Sequence, residues 1–156
     1  MTRDSTPAGV TEIRHPAHRN CVVCGPSNSR GLALQFTLSP DGGVRAVFTC
    51  GDAYEGYAGL VHGGVISSVL DGAMTHCVFA RGCTALTAEL NVRFRQPVVV
   101  GAPITVRAWI DRSRGPLHLT RAELTQNHEV KATAEGKFIE DPLLIERMRE
   151  SAGRCP

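Results

Sequence analysis

The chain has 156 residues, of which 42% are hydrophobic and 21% charged; this length predicts one domain, and this composition excludes a disordered chain. Its 17 basic and 15 acidic residues leave a net charge of +2 without a basic run, which argues against a nucleic-acid partner. No stretch is apolar enough to span a membrane, and the first residues lack a hydrophobic signal region. We therefore expect a cytoplasmic protein without a membrane partner, whose six cysteines are free thiols or metal ligands rather than disulfides.

The N-terminal third predicts an irregular segment followed by two strands. Residues 1–20 are polar and contain two prolines, so we expect no regular element there. Apolar residues then alternate with polar ones over 32–38 and again over 44–48, on either side of a turn at Asp41-Gly42-Gly43. Such alternation is typical of half-buried strands in an antiparallel sheet.

The middle of the chain predicts a long buried helix. Between Gly56 and Ala80 the only charged residue is Asp71, and residues 62–80 form a segment too long for a strand. A helical wheel places the large apolar side chains on one broad face. The opposite face is small and polar, which favours the approach of a ligand or a second helix over exposure to solvent; it carries Gly64, Ser67, Ser68, Asp71 and Thr75.

Four more strands are predicted from alternation over residues 88–94, 104–110, 117–124 and 130–138. The alternation changes phase at Thr120-Arg121, which predicts a bulge. A short surface helix is expected over Leu143 to Ser151. The order of two strands, one helix and four strands fits an α+β domain over residues 21–141, in which an antiparallel sheet wraps around one central helix, followed by a helix and tail over 142–156.

The helix carries two features that point to catalysis. An apolar environment would raise the pKa of Asp71 and make it a candidate base or nucleophile. Gly63 and Gly64 leave the first N–H groups of the helix open to an anion or oxyanion, although the glycines alone are explained equally well by a tight turn into the helix. Gly64 and Asp71 are about 10 Å apart along the axis, so serving one carbonyl requires two subunits related by a two-fold axis.

Two histidines and two cysteines follow one another at intervals of three residues near the N-terminus: His15, His18, Cys21 and Cys24. Such a set could complete a tetrahedral zinc site, but the spacing is not that of a standard zinc finger. We favour cysteines packed beneath the first strand and histidines in a mobile tail, and we leave zinc binding open. Our predicted active site contains no metal ligand and no cofactor.

The segments around the helix resemble the hotdog-fold acyl-CoA thioesterases, in the branch of the phenylacetate-pathway and human mitochondrial enzymes. The resemblance rests on Val61-His62-Gly63-Gly64-Val65-Ile66 and Leu70-Asp71-Gly72-Ala73-Met74, with weaker similarity over residues 20–26 and 90–94. It implies a hotdog fold and hydrolysis of an acyl-CoA thioester to a carboxylic acid and CoA. It also implies a homodimer or homotetramer with active sites at the subunit interface.

The resemblance assigns roles to six residues. Asp71 would be the base or nucleophile, Gly63 would polarise the thioester carbonyl through its N–H, and Thr87 on the next strand would position water. We expect His62, Gly64 and Glu55 to contribute to substrate binding, with His62 mainly a structural residue at the start of the helix. Glu55 lies where many members carry Asn or Gln, and an ionised carboxylate cannot donate a hydrogen bond to a carbonyl.

Two other functions stay open on the sequence. The first is a non-catalytic protein that binds or senses acyl-CoA, against which the presence of Asp71 argues. The second is a hydratase or dehydratase, which would need a second acid–base group, but the helical wheel turns His76 away from Asp71. Arginines that could meet the CoA phosphates, by charge alone, are Arg93, Arg95, Arg112 and Arg114.

Overall fold

A computed structural model describes residues 12–13 and 15–152. Most of the predicted irregular segment (residues 1–11 and 14) and the end of the tail (153–156) lie outside the described residues. The elements are 3₁₀ turns at Pro16–His18 and Asp52–Tyr54, β1 Thr37–Leu38, β2 Val44–Thr49, α1 Gly63–Ala80, β3 Leu86–Phe94, β4 Pro103–Arg114, β5 Leu117–Gln126, β6 Glu129–Ile139 and α2 Pro142–Ala152. The predicted order of two strands, one long helix and four strands is confirmed.

The six strands form one antiparallel sheet with the order β1-β2-β4-β5-β6-β3. The helix α1 packs against strands β2 to β6, so the sheet wraps around it as the sequence predicted. The strands from the second half of the chain therefore surround a helix that precedes them, and β3, which follows the helix directly, becomes one edge of the sheet.

The core lies between α1 and the concave face of the sheet. Alternate residues of β5, of most of β6 and of the first part of β4 are buried, and the alanines among them let the sheet approach the helix closely: Ala108, Ala122, Ala132 and Ala134. The helix contributes Ile66, Val69, Leu70, Ala73, Met74, Cys77 and Val78, all buried. At the closest approach β6 carries Gly136, where a Cβ atom would lie 2.8 Å from Phe138 Cε2 and 3.1 Å from Met74 Sδ.

The irregularity predicted at Thr120-Arg121 lies on the neighbouring strand: the pairing of β4 with β5 shifts between Ile110 and Arg112, which oppose Thr120 and Leu119, so the extra residue is Asp111 of β4. The alternation in β5 continues without a phase change, and the inward positions that interrupt the apolar pattern are His118 and Thr120, both buried. Their polar atoms have partners: Thr120 Oγ1 donates to Gly136 O at 3.3 Å, and His118 lies between Ser113 and Glu140, each at 2.8 Å. Polar side chains with hydrogen-bond partners therefore occupy two inward positions of β5.

The first predicted strand is much shorter than residues 32–38, because only Thr37–Leu38 form a strand. Ala33 has a φ of 50°, a left-handed conformation that interrupts extended backbone. Leu34 and Phe36 are buried as expected, but the Leu34 N–H donates to Val23 O at 2.9 Å, and Leu38 is exposed. This part of the chain is held by the segment before it rather than by the sheet.

Neither helix within residues 12–13 and 15–152 combines the length and the apolar character needed to cross a membrane.

We predict that Gly136→Val lowers the free energy of unfolding by about 1–3 kcal/mol, because the added atoms would overpack the contact with Phe138 and Met74. Chemical denaturation measures the change. The control is Gly51→Val, since a Cβ atom at Gly51 meets open space. An equal effect of the two variants would contradict the close packing at Gly136.

Candidate active site

Asp71 and Thr87 form a hydrogen-bonded pair between α1 and β3. Thr87 Oγ1 donates to Asp71 Oδ1 at 2.7 Å, and Asp71 is half-buried. The pairing of β3 with β6 shifts between Thr87 and Glu89, which oppose Phe138 and Lys137. One extra residue, Ala88, therefore sits in β3 beside Thr87, and an irregularity of this kind redirects the neighbouring side chain.

The surroundings of Asp71 raise the pKa of its carboxyl group above the ordinary value. The main cause is burial, which disfavours the charged form. The hydrogen bond from Thr87 acts in the opposite direction, while Cys21 raises the pKa further and His18 lowers it. The carboxylate is thus more basic than an exposed aspartate and has one donor fixed against it, as a general base requires.

The start of α1 is capped by His62, whose backbone is extended (φ −61°, ψ 135°). His62 Nδ1 accepts a hydrogen bond from the Gly64 N–H at 2.9 Å, so this N–H is already used inside the protein. Within residues 12–13 and 15–152, no acceptor pairs with the Gly63 N–H. Of the two glycine N–H groups considered from the sequence, that of Gly63 is the one open to a ligand.

Glu55 closes the loop before the helix. Its Oε1 accepts from the Gly59 N–H at 2.8 Å, and its backbone bridges to Val61. The neighbouring Tyr54 carbonyl accepts from the His62 N–H at 2.9 Å, which connects this loop to the helix cap. The contacts of Glu55 therefore shape the turn that leads into α1.

The six residues predicted for the site form two separate groups. Asp71 and Thr87 lie together, whereas His62, Gly63, Gly64 and Glu55 gather at the start of α1. Gly63 and Asp71 are eight residues apart on one helix, which corresponds to about 12 Å along its axis. One thioester carbonyl cannot contact both groups of the same chain.

An apolar cavity of about 310 Å³ opens beside the start of α1. It is lined mainly by Leu60, Val61, Ile66, Phe94, Pro97 and Val98, with Arg95 also on its wall. A second cavity of about 430 Å³ is lined by Arg93 and Arg95 together. Arg114 lies at the end of the sheet opposite Phe94. It pairs with Leu117, which pairs with Ile139, and Ile139 pairs with Leu86, the first residue of β3.

The N-terminal segment packs beside Asp71, which the sequence did not predict. His15, expected in a mobile tail, stacks on Phe79 with ring centroids 4.4 Å apart, and its Nε2 lies 3.0 Å from Thr84 Oγ1. Val23 is buried against Gly72, where a Cβ atom would lie 2.8 Å from Val23 Cγ1. The sequence signal for this contact is the glycine directly after Asp71, which leaves room for Val23.

His76 is a core residue. It is buried, stacks on Phe36 with centroids 4.1 Å apart, and its Nδ1 lies 2.7 Å from Gly72 O. Burial lowers its pKa to about 4, so the ring is neutral at physiological pH. These contacts give it no part in the Asp71–Thr87 pair, and the hydratase alternative gains no acid–base partner from it.

Known proteins are similar to this chain both in fold and over the segment that contains Asp71 and Thr87. A family model described as the thioesterase superfamily matches residues 58–133. A crystal structure of a thioesterase superfamily protein is 28% identical, with a TM-score of 0.74, and the match covers 78% of this chain and 61% of that one. A phenylacetic acid degradation-related protein from Ralstonia eutropha JMP134 has a TM-score of 0.67 at 23% identity, with 80% and 99% covered.

Among curated proteins, the acyl-coenzyme A thioesterase THEM4 of Bos taurus is 30% identical over 88 residues, which span 54% of this chain and 36% of the relative. The match thus covers about a third of that protein's length. Together with the sheet wrapped around one long helix, these matches show that the chain has the hotdog fold and is similar to the thioesterase superfamily over residues 58–133. The resemblance stated from the sequence is confirmed at this level.

We predict that Asp71→Asn raises the free energy of unfolding at pH 7. A carboxyl group whose pKa is raised on folding contributes most to stability when it is protonated, and this contribution is lost as the pH rises through the raised pKa. The gain of the variant over the wild type should therefore shrink as the pH falls toward about 4. Thermal or chemical unfolding between these pH values measures it.

Asp52→Asn, at an exposed position, is the matched control for removing one negative charge. An Asp71→Asn protein that is less stable than the wild type at pH 7 would contradict the unfavourable burial of the charge.

Proposed function

We propose that the protein is an acyl-CoA thioesterase that uses Asp71 as its base. The observation that carries this proposal is the half-buried carboxylate held by Thr87 at 2.7 Å, on a helix whose segment matches the thioesterase superfamily. The similarity to a protein named acyl-coenzyme A thioesterase supports CoA as the carrier. Because that match spans 36% of the relative, the activity itself is part of the proposal.

In the proposed reaction, Asp71 accepts a proton from a water molecule as its oxygen attacks the thioester carbonyl carbon. The carbonyl electrons move to oxygen, and the N–H of Gly63 at a helix N-terminus stabilises this charge. When the intermediate collapses, the carbon–sulfur bond breaks and Asp71 returns the proton to the departing sulfur. The products are a carboxylic acid and the CoA thiol, and Thr87 keeps the carboxylate oriented throughout.

The separation of about 12 Å between Gly63 and Asp71 in one helix supports a site shared between two chains. Two antiparallel copies of α1 around a two-fold axis would bring Gly63 of one chain near Asp71 of the other. The open edge strand β3 carries Thr87 and is exposed over most of its length, with Phe94 53% exposed. An association along β3 would cover this edge and complete two equivalent sites.

The cavity beside Gly63 supports a place for the substrate. Its apolar wall suits an acyl chain or ring, and Arg95, shared with the neighbouring cavity that also holds Arg93, suits a CoA phosphate. Arg112 and Arg114 are less suited to this role. Arg114 lies at the Leu86 end of the sheet, whereas Gly63 lies near Phe94, at the opposite end of β3. In the proposed site, an apolar and a cationic surface would therefore lie next to the open N–H.

We predict that Asp71→Asn lowers kcat by about 10²–10⁴-fold on the best substrate of a panel of short, medium, long and aromatic acyl-CoAs. Thr87→Val should lower it by about 10–100-fold, the size of a lost hydrogen bond to a charged group. Thr87→Ser keeps the hydroxyl and should stay close to the wild type. Thiol release is the measurement, with the protein's own cysteines subtracted.

Wild-type protein that binds acyl-CoA without turnover would favour the sensing function instead. Equal turnover by wild type and Asp71→Asn would show that another group is the base.

We predict that Gly63→Pro lowers kcat by about 10²–10³-fold, because it removes the one N–H proposed to stabilise the oxyanion. Proline is well tolerated at the first position of a helix, and the extended backbone of His62 suits a residue before proline. Gly63→Ala retains the N–H, and its Cβ atom would lie 3.5 Å from the Phe94 ring, an ordinary contact. Equal effects of Pro and Ala would contradict the role of the N–H.

The same variants test the shared site. A mixed dimer of one Gly63→Pro chain and one Asp71→Asn chain, isolated through two different affinity tags, keeps one site with both groups intact. It should therefore show about half of the wild-type rate, although each parent dimer is nearly inactive. If each chain carried its own complete site, the mixed dimer would be as inactive as its parents.

A further inference from the structure

A turn near the N-terminus brings three metal-binding side chains together. His18, Cys21 and Cys24 each offer one ligand atom, and these atoms all lie within 4.8 Å of one another. Cys24 Sγ lies 3.5 Å from His18 Nδ1. We propose that His18, Cys21 and Cys24 bind one zinc ion per chain.

The spacing of these atoms fits tetrahedral zinc. With zinc–sulfur bonds of about 2.3 Å and zinc–nitrogen bonds of about 2.0–2.1 Å, the nitrogen and sulfur ligands of one ion lie about 3.5–3.6 Å apart, and two sulfurs about 3.8 Å apart. The observed distance between Cys24 Sγ and His18 Nδ1 is within this range. Binding therefore needs only small side-chain movements, with the thiol protons released to solvent.

The backbone of the turn is built around the sulfur atoms. The Val23 N–H donates to Cys21 Sγ at 3.4 Å, and the Gly25 N–H donates to Cys21 O at 2.9 Å, which keeps both cysteines on the same side. A Cβ atom at Gly25 would lie 2.4 Å from Cys21 N, so this tight turn requires glycine. Hydrogen bonds to a ligating sulfur are the support that metal sites use to orient their ligands.

His15, the fourth member of the sequence pattern, has a different role. Its Nδ1 accepts from the Ala17 N–H at 3.2 Å and its Nε2 contacts Thr84, so both ring nitrogens already have partners. The cavity of about 550 Å³ lined by His18 and Cys24 adjoins the site. Water from this cavity supplies the fourth ligand, as in zinc sites with three protein ligands.

A second group with similar spacing is less suitable. Cys83, His118 and Glu140 also lie within 4.8 Å of one another, but His118 uses Nδ1 for Ser113 and Nε2 for Glu140, each at 2.8 Å. A metal there would have to displace one of these contacts, and it would gain a single sulfur ligand rather than two.

Zinc at the turn would stabilise the segment that covers α1 beside the candidate site. Val23 lies between the two cysteines and packs on Gly72, while Val22 O and Val23 O accept from Leu32 N and Leu34 N at 2.8 and 2.9 Å. Cross-linking His18, Cys21 and Cys24 through one ion would therefore hold the segment that leads into β1. This role is independent of whether the chain hydrolyses acyl-CoA.

The test measures metal content and affinity rather than activity. Reduced full-length protein is titrated with zinc chloride against a chromophoric chelator, and cobalt chloride is added in parallel, because cobalt bound by two thiolates in a tetrahedral site has distinctive sulfur-to-metal and d–d absorption. We expect one equivalent per chain and a higher unfolding temperature with zinc. Cys21→Ser and Cys24→Ser should each weaken binding by about 100-fold or more.

Cys83→Ser is the matched control and should retain the full equivalent. Three results would overturn the proposal: no zinc uptake by the reduced wild type, loss of zinc in Cys83→Ser but not in Cys21→Ser, or a Cys21–Cys24 disulfide in freshly purified protein whose reduction restores no binding. Because the wild-type titration and the cobalt spectrum need no variant, a folding defect in either serine protein leaves the test decisive.

Discussion

The candidate site depends on one charged group inside an apolar helix. Asp71 is the only charged residue between Gly56 and Ala80, and burial makes its ionised form unfavourable unless a donor compensates. Thr87 is that donor, and its position requires both the packing of β3 along α1 and the extra residue at Ala88. A feature that costs stability and is supported by a local irregularity of the sheet is typical of a functional group rather than of a structural one.

The periodic parts of the fold could be predicted from the sequence because burial on one face leaves a repeat of two in strands and of 3.6 in helices. The parts that failed depend on contacts between distant residues. The short β1 follows from the left-handed backbone of Ala33 and from the hydrogen bond between Leu34 N–H and Val23 O. Neither feature leaves a repeat in the sequence. In β5, His118 points inward only because Ser113 and Glu140 satisfy its ring.

The candidate site likewise has one part that the sequence could predict and another that depends on contacts between distant residues. Thr87 was assigned through the resemblance to the family, and the structure places its hydroxyl in a hydrogen bond with Asp71. The approach of the N-terminal segment could not be placed, since it depends on a turn whose hydrogen bonds join residues three to eight positions apart, such as Ser27 N to Arg19 O. The glycine at position 72 has a spatial reason: Val23 occupies the room that a side chain would need.

The two glycines at the start of α1 are not equivalent, because the helix cap forms a hydrogen bond with only one of their N–H groups. His62 caps the helix with its own ring and thereby uses the N–H of Gly64. Without a Cβ atom, Gly64 lets this ring fold back, since a Cβ there would lie 3.0 Å from His62 Nδ1. The cap thus leaves the Gly63 N–H as the open donor at the positive end of the helix, about 12 Å from the carboxylate of the same chain. Under the proposed function, a helix that carries the donor and the base at different turns requires a catalytic unit of two helices, and hence of two chains.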